Sequence, residues 1–148
     1  MKTSVTVARI LLGLLFALAG LSGFVFSFAG GPPPMPGLAG EFSDVFFRSH
    51  WVLYVDGVEF LAGAFLLVNR YVPLALVLLG AVISNILVFH ITMQPTGIAP
   101  GLVATALWAV LARQHRASLA PLFVARPDPN VAAAPALTLI KARRALAS

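Results

Sequence analysis

Two carboxylic acids, Asp56 and Glu59, stand within the apolar stretch Trp51-Val52-Leu53-Tyr54-Val55-Asp56-Gly57-Val58-Glu59-Phe60-Leu61-Ala62-Gly63. An ionisable group in hydrocarbon costs about 2.5 to 3.5 kcal/mol on insertion scales, so such residues call for a reason. Three positions apart, the two project from roughly the same helix face. A rise of about 1.5 Å per residue puts Glu59 about 12 Å along a helix that begins at Trp51. A later apolar stretch beginning at Tyr71 carries Asn85 about 21 Å from its start, with His90 beyond it. If these stretches run antiparallel, Asp56, Glu59, Asn85 and His90 occupy the same half of the molecule. Asn85 and His90 are five apart and lie on different faces, so they do not both point straight at the carboxylates.

One chemistry for this set is a polar pocket, open towards the outer face, in which a carboxylate exchanges a proton with a quinone or another small ligand. The alternative is a buried hydrogen-bond cluster that fixes helix packing, with His90 wetted by headgroups. Arg9, just inside the first apolar run, either snorkels to phosphates or holds a partner carboxylate or anionic headgroup at the inner mouth. Haem ligation by His50 and His90 would need histidines from two different elements, which is a weak signal, and no metal site is expected. The chain has no phosphate loop, nucleophile elbow or HExxH helix, and with no cysteine it can form no thiolate or disulfide redox relay. No complete catalytic constellation is visible, which leaves open whether the chain catalyses a reaction by itself.

The elements that must hold these residues are written in the composition. Of 148 residues, 59% are hydrophobic and 10% charged, against about 25% charged in a typical globular domain. Mean hydropathy is +0.94, which makes lipid the expected solvent. The net charge of +5 suits a membrane surface better than nucleic acid, because the cations cluster at the ends of apolar runs rather than among aromatics. Four runs, over residues 7–29, 51–68, 71–93 and 96–112, approach the roughly 17 to 25 residues that cross about 30 Å of hydrocarbon. Short turns at Asn69-Arg70 and Gln94-Pro95-Thr96-Gly97 make neighbouring runs antiparallel. The predicted fold is therefore all-α, an integral membrane four-helix up-down bundle over residues 1–113, followed by a basic tail over 114–148 that is partly disordered.

Lys2, Arg9, Arg70, Arg113, Arg116, Arg126, Lys141, Arg143 and Arg144 fall on one side of the spans and Arg48 on the other, which puts both termini in the cytoplasm. A cleaved signal peptide ending at Ala17-Leu18-Ala19 would leave three spans, but the apolar run continues through Phe24, Val25, Phe26 and Phe28, too long for a signal core. In the outer loop, residues 30–50, an extended Pro32-Pro33-Pro34 precedes Glu41-Phe42-Ser43-Asp44-Val45-Phe46-Phe47, whose spacing fits a short helix on the membrane surface. A basic helix over 136–146 in the tail could rest on anionic lipid. Helices in lipid pack through small residues, and Gly13 with Ala17, Ala19 with Gly23, Ala62-Gly63, Gly80 with Ser84, and Gly101 with Thr105 and Ala109 offer close-approach faces.

Arg9-Ile10-Leu11-Leu12-Gly13-Leu14-Leu15-Phe16, Gly57-Val58-Glu59-Phe60-Leu61-Ala62-Gly63-Ala64-Phe65-Leu66-Leu67 and Asn85-Ile86-Leu87-Val88-Phe89-His90 resemble the DoxX family of small bacterial membrane proteins. The likeness runs from residue 7 to about 124, including Pro121-Leu122-Phe123, and its most telling feature is a glutamate in the second span followed by Gly63. It implies a four-helix inner-membrane protein, in some members a small subunit associated with thiosulfate:quinone oxidoreductase and in others linked to membrane complexes that handle oxidative stress. Carried over position by position, a polar site would fall on Arg9, Glu59, Asn85 and His90; Asp56 and the triple proline match no family pattern. The expectation is a bacterial inner-membrane accessory subunit that binds a quinone-like or lipidic molecule and supports a membrane redox enzyme, as a monomer or a homo-oligomer. It would have no intrinsic cofactor beyond a bound quinone, and no nucleic-acid partner. The alternatives are a scaffold without ligand chemistry and, with no repeat relating the halves and no span broken at its midpoint, less readily a small-molecule transporter.

Overall fold

Apolar residues with few breakers from Thr3 to Phe28 propagate one long helix, α1 (Lys2–Phe28), which stops where Gly30 takes a φ of 96° and the Gly31 N–H bonds back to the Phe26 carbonyl. The structure, a computed structural model, describes residues 2–125, and these contain helices and turns but no strand. After α1 come α2 (Gly37–Arg48), α3 (Trp51–Leu67), α4 (Val72–Thr92), a 3₁₀ turn over Pro95–Gly97, α5 (Ile98–Gln114), the short α6 (Arg116–Leu119) and a final 3₁₀ turn, Ala120–Phe123. The chain divides into two compact units, Met1–Arg116 and Ala117–Ser148. The expected basic helix over 136–146 lies outside the described residues.

Three stretches are long and apolar enough to cross a membrane: Thr3–Phe28, Val72–Thr92 and Pro95–Gln114. A fourth passes only as the pair α2 and α3, bent by 86° at the break. The 17 residues of α3 span about 25 Å at 1.5 Å each, short of about 30 Å of hydrocarbon, and α5 has the same number of residues. Its ends are set by backbone chemistry. His50 enters α3 in the left-handed region, and Asn69 leaves it there, with Asn69 and Arg70 N–H groups returning to the carbonyls of Leu66 and Phe65 in a Schellman closure.

Within the larger unit, α1 packs on α3 and α5, and α4 packs on the same two helices. The core between them holds Leu12, Phe16, Ala62, Leu66, Ala75, Leu76, Leu79, Ala104 and Leu111. Outward faces are equally apolar: Leu18 (62% exposed), Leu21, Val25, Leu74, Ile91 and Val103 would be costly in water and are suited to hydrocarbon.

Close approach is achieved by glycine. A Cβ on Gly63 would meet the Ala17 nitrogen at 2.5 Å and the Gly13 carbonyl oxygen at 2.8 Å, and one on Gly20 would collide with the backbone of Asp56. The second small pair expected on α1, Ala19 with Gly23, is thus realised as Gly20 with Gly23, and Gly20 is buried while Ala19 is half-buried. On α5, Gly101 and Ala104 are buried and Ala109 is exposed, because the contacting face there follows a three-residue step. Gly80 makes room for the Trp108 ring, whose Nε1–H donates to the Leu76 carbonyl at 2.7 Å and ties α5 to α4. Trp108→Phe removes that donor, and a loss of about 1 kcal/mol is expected in denaturant unfolding monitored by circular dichroism.

Candidate functional site

The 86° corner at His50 lays α2 across the ends of α3 and α4, and a pocket of about 650 Å³ opens between these three helices. The fold brings four of the anticipated residues to its wall: Asp56 and Glu59 from α3, Asn85 and His90 from α4. Arg9 is not among the residues lining the pocket. It donates to the carbonyls of Leu66 and Leu67 at the C-terminal end of α3, where the Leu66 carbonyl also accepts from the Asn69 N–H. This contact is neither the snorkelling nor the headgroup clamp anticipated for it, and the guanidinium serves as a helix cap. His50 is the exposed corner residue and does not join His90 in the pocket wall.

Burial of the carboxylates is the main chemical feature. Asp56 is 7% exposed and Glu59 8%. Among the described residues neither has a hydrogen-bond or ion-pair partner, and Asp56 Oδ2 is fully enclosed without one. The Asp56 carboxylate sits where a side chain on Gly23 would be, so that glycine is a cradle as well as a packing residue. Any larger residue at position 23 would strike the carboxylate.

Asn85 and His90 each bond to a backbone carbonyl of their own segment. The Asn85 amide donates to the Ala81 carbonyl of its own helix at 3.0 Å, and His90 Nδ1 lies 2.9 Å from the Gln94 carbonyl oxygen. With a carbonyl as partner, Nδ1 carries the proton, which leaves Nε2 of a neutral ring as an acceptor. The hydroxyls of Ser27, Ser84 and Thr105 likewise bond to carbonyls of their own helices. Among the described residues no three metal-ligating side chains converge.

Residues that the sequence reading did not single out complete the wall. Phe42 and Phe46 stack at 5.6 Å on α2, Phe42 meets Phe89 of α4 at 5.5 Å, and Trp51 and Tyr54 lie 5.9 Å apart at the start of α3. The segment after Pro32-Pro33-Pro34 turns back on α2, where Gly40 admits the Met35 carbonyl, and Met35 reaches the wall. The aromatic set was hidden because three separate elements supply it.

Chemically, then, the pocket is an apolar and aromatic cavity with two unpartnered acids on its inner wall. Comparison of the chain with family models, with curated proteins and with solved structures returns no match.

Proposed function

We propose that the protein is a multi-pass membrane protein that binds a small lipidic or quinone-like molecule in the pocket between α2, α3 and α4. The observation that carries this reading is the pair of nine-tenths-buried carboxylates, without partners among the described residues, on the wall of an otherwise apolar cavity. Buried acids retained against their desolvation cost mark functional sites more often than packing devices. The scaffold alternative assigns these acids to helix packing, yet Arg9, Trp108 and the glycines join the helices while Asp56 and Glu59 hydrogen-bond to no described residue.

In this proposal the bent pair α2 and α3 contributes one crossing, made by α3, the four spans form an up-down bundle, and both termini lie in the cytoplasm of a bacterium, as the Lys and Arg distribution indicates. Helix α2 rests at the outer interface: Glu41 and an Asp44–Arg48 ion pair at 3.2 Å are exposed, and the exposed Leu38 and Val45 flank Glu41 along the same stripe. The resemblance to the DoxX family supports a role as an accessory subunit that delivers or holds this molecule for a membrane redox enzyme.

Replacing Glu59 discriminates the readings. If the acid is kept for a ligand, Glu59→Leu raises thermal stability in detergent by about 1 to 3 kcal/mol, because an unpaired ionisable group leaves the span. If it is packing glue, Glu59→Leu lowers stability. The companion experiment is native mass spectrometry of the parent protein from bacterial membranes in mild detergent. A retained small molecule, displaced in Glu59→Gln, supports the ligand site; a protein carrying only bulk phospholipid in both forms argues for the scaffold.

A further inference from the structure

Building on the ligand site proposed above, we propose that its occupant is a lipophilic organic cation, held by Glu59 and Asp56 at its charge and by Phe42, Phe46, Trp51 and Phe89 along its apolar body. Among the described residues no Lys or Arg lines the pocket. Its buried polar groups are two carboxylates, unpartnered among the described residues; the half-buried His90 has its Nδ1 occupied by the Gln94 carbonyl, and the exposed Asn85 amide has one N–H given to the Ala81 carbonyl. The donors of Trp51 and Tyr54 belong to side chains 60% and 68% exposed, at the rim. An anionic headgroup brought to this wall would face like charge from the carboxylates, and a neutral quinone would leave them without a counter-charge. A cation reverses both conflicts, since it neutralises acids that lack a counter-charge in a low-dielectric site. Aromatic side chains elsewhere on the same wall add the attraction of ring quadrupoles for positive charge. Gly23, by leaving space for the Asp56 carboxylate, lets a second acid share the neutralisation.

The test uses the full-length protein in nanodiscs of zwitterionic lipid, titrated with tetraphenylphosphonium and with tetraphenylborate, and empty nanodiscs as the partition control. The two ions have nearly the same size and shape and opposite charge, so any difference reports the charge of the site. Saturable binding of tetraphenylphosphonium is expected, weakened at least tenfold in Glu59→Gln and severalfold in Asp56→Asn, with no saturable binding of tetraphenylborate. Unchanged melting temperatures in the two variants establish that the loss is local, and the comparison of the two ions on the parent protein stands even if a variant does not fold. Equal binding of both ions, or unaltered phosphonium affinity in a folded Glu59→Gln, overturns the proposal. A short-chain quinone binding saturably where phosphonium does not would overturn the cation and leave the ligand site intact, and binding of neither would sink both.

Discussion

Gly63→Leu is expected to abolish the folded state in detergent, with loss of the monodisperse peak in size-exclusion chromatography and of the cooperative thermal transition. At this point α1 and α3 are separated by backbone alone: a Cβ already falls 2.5 Å from the Ala17 nitrogen and 2.8 Å from the Gly13 carbonyl oxygen. These are backbone atoms, which cannot swing aside, so the helices must part along their length. Overpacking of an ordinary core costs about 1 to 3 kcal/mol, and a whole side chain against two backbones exceeds that range. Parting α1 from α3 would also withdraw Gly23 from Asp56 and open the pocket wall. Gly57 is the control on the same helix, because its nearest added contact is Phe24 at 4.0 Å. Gly57→Ala is expected to stabilise by about 0.5 to 1 kcal/mol through the lower backbone entropy of alanine. If Gly63→Leu melts like the parent, α1 and α3 do not meet through this face.

The second large effect is expected at Arg9. Arg9→Leu keeps an apolar residue in an apolar helix, and a hydropathy argument alone would expect it to be harmless or stabilising. The structure makes the opposite prediction. Loss of the guanidinium strips the Leu67 carbonyl of its donor and leaves the Leu66 carbonyl with only the Asn69 N–H, at a helix end where positive charge is favourable. Hydrogen bonds from a charged donor contribute about 1.5 to 3 kcal/mol, and that loss should appear as a lower midpoint in denaturant unfolding. Arg9→Lys, which keeps the charge but gives up the planar fork, should recover part of it. Because Arg9 does not line the pocket, binding to folded Arg9→Leu is expected to match the parent; weakened binding would return Arg9 to the ligand site.

Much of this architecture was legible in the chain. Apolar runs bounded by Gly30, Asn69 and Gln94-Pro95 announce helices and their ends, since a membrane-length run with no polar partner for its backbone must be helical. Asp56 and Glu59 were visible as a site for the same reason, as acids in an apolar run, and helical rise placed Asn85 and His90 in the same half. The second span, read as residues 51–68, is α3 over Trp51–Leu67. What hydropathy does not register there is the 86° bend to α2 at His50. The amphipathic spacing of residues 41–47 foretold α2, but not that its Phe42 turns to meet Phe89, a contact between residues more than forty positions apart.

The sequence by itself determined the elements: which stretches are helical, where they stop, which are apolar enough for lipid, and which residues are anomalous within them. These are local properties, governed by hydrogen bonding within a segment and by transfer free energy summed along it. Tertiary packing decided what the anomalous residues do. Gly23 and Asp56 become a cradle and its carboxylate, Arg9 becomes a cap on another helix, and aromatics from α2, α3 and α4 enclose two acids, because each of these relations depends on the rotation and separation of neighbouring helices. Those quantities are set by the small residues that allow close contact, and a pattern read along one helix does not encode the face that its neighbour presents.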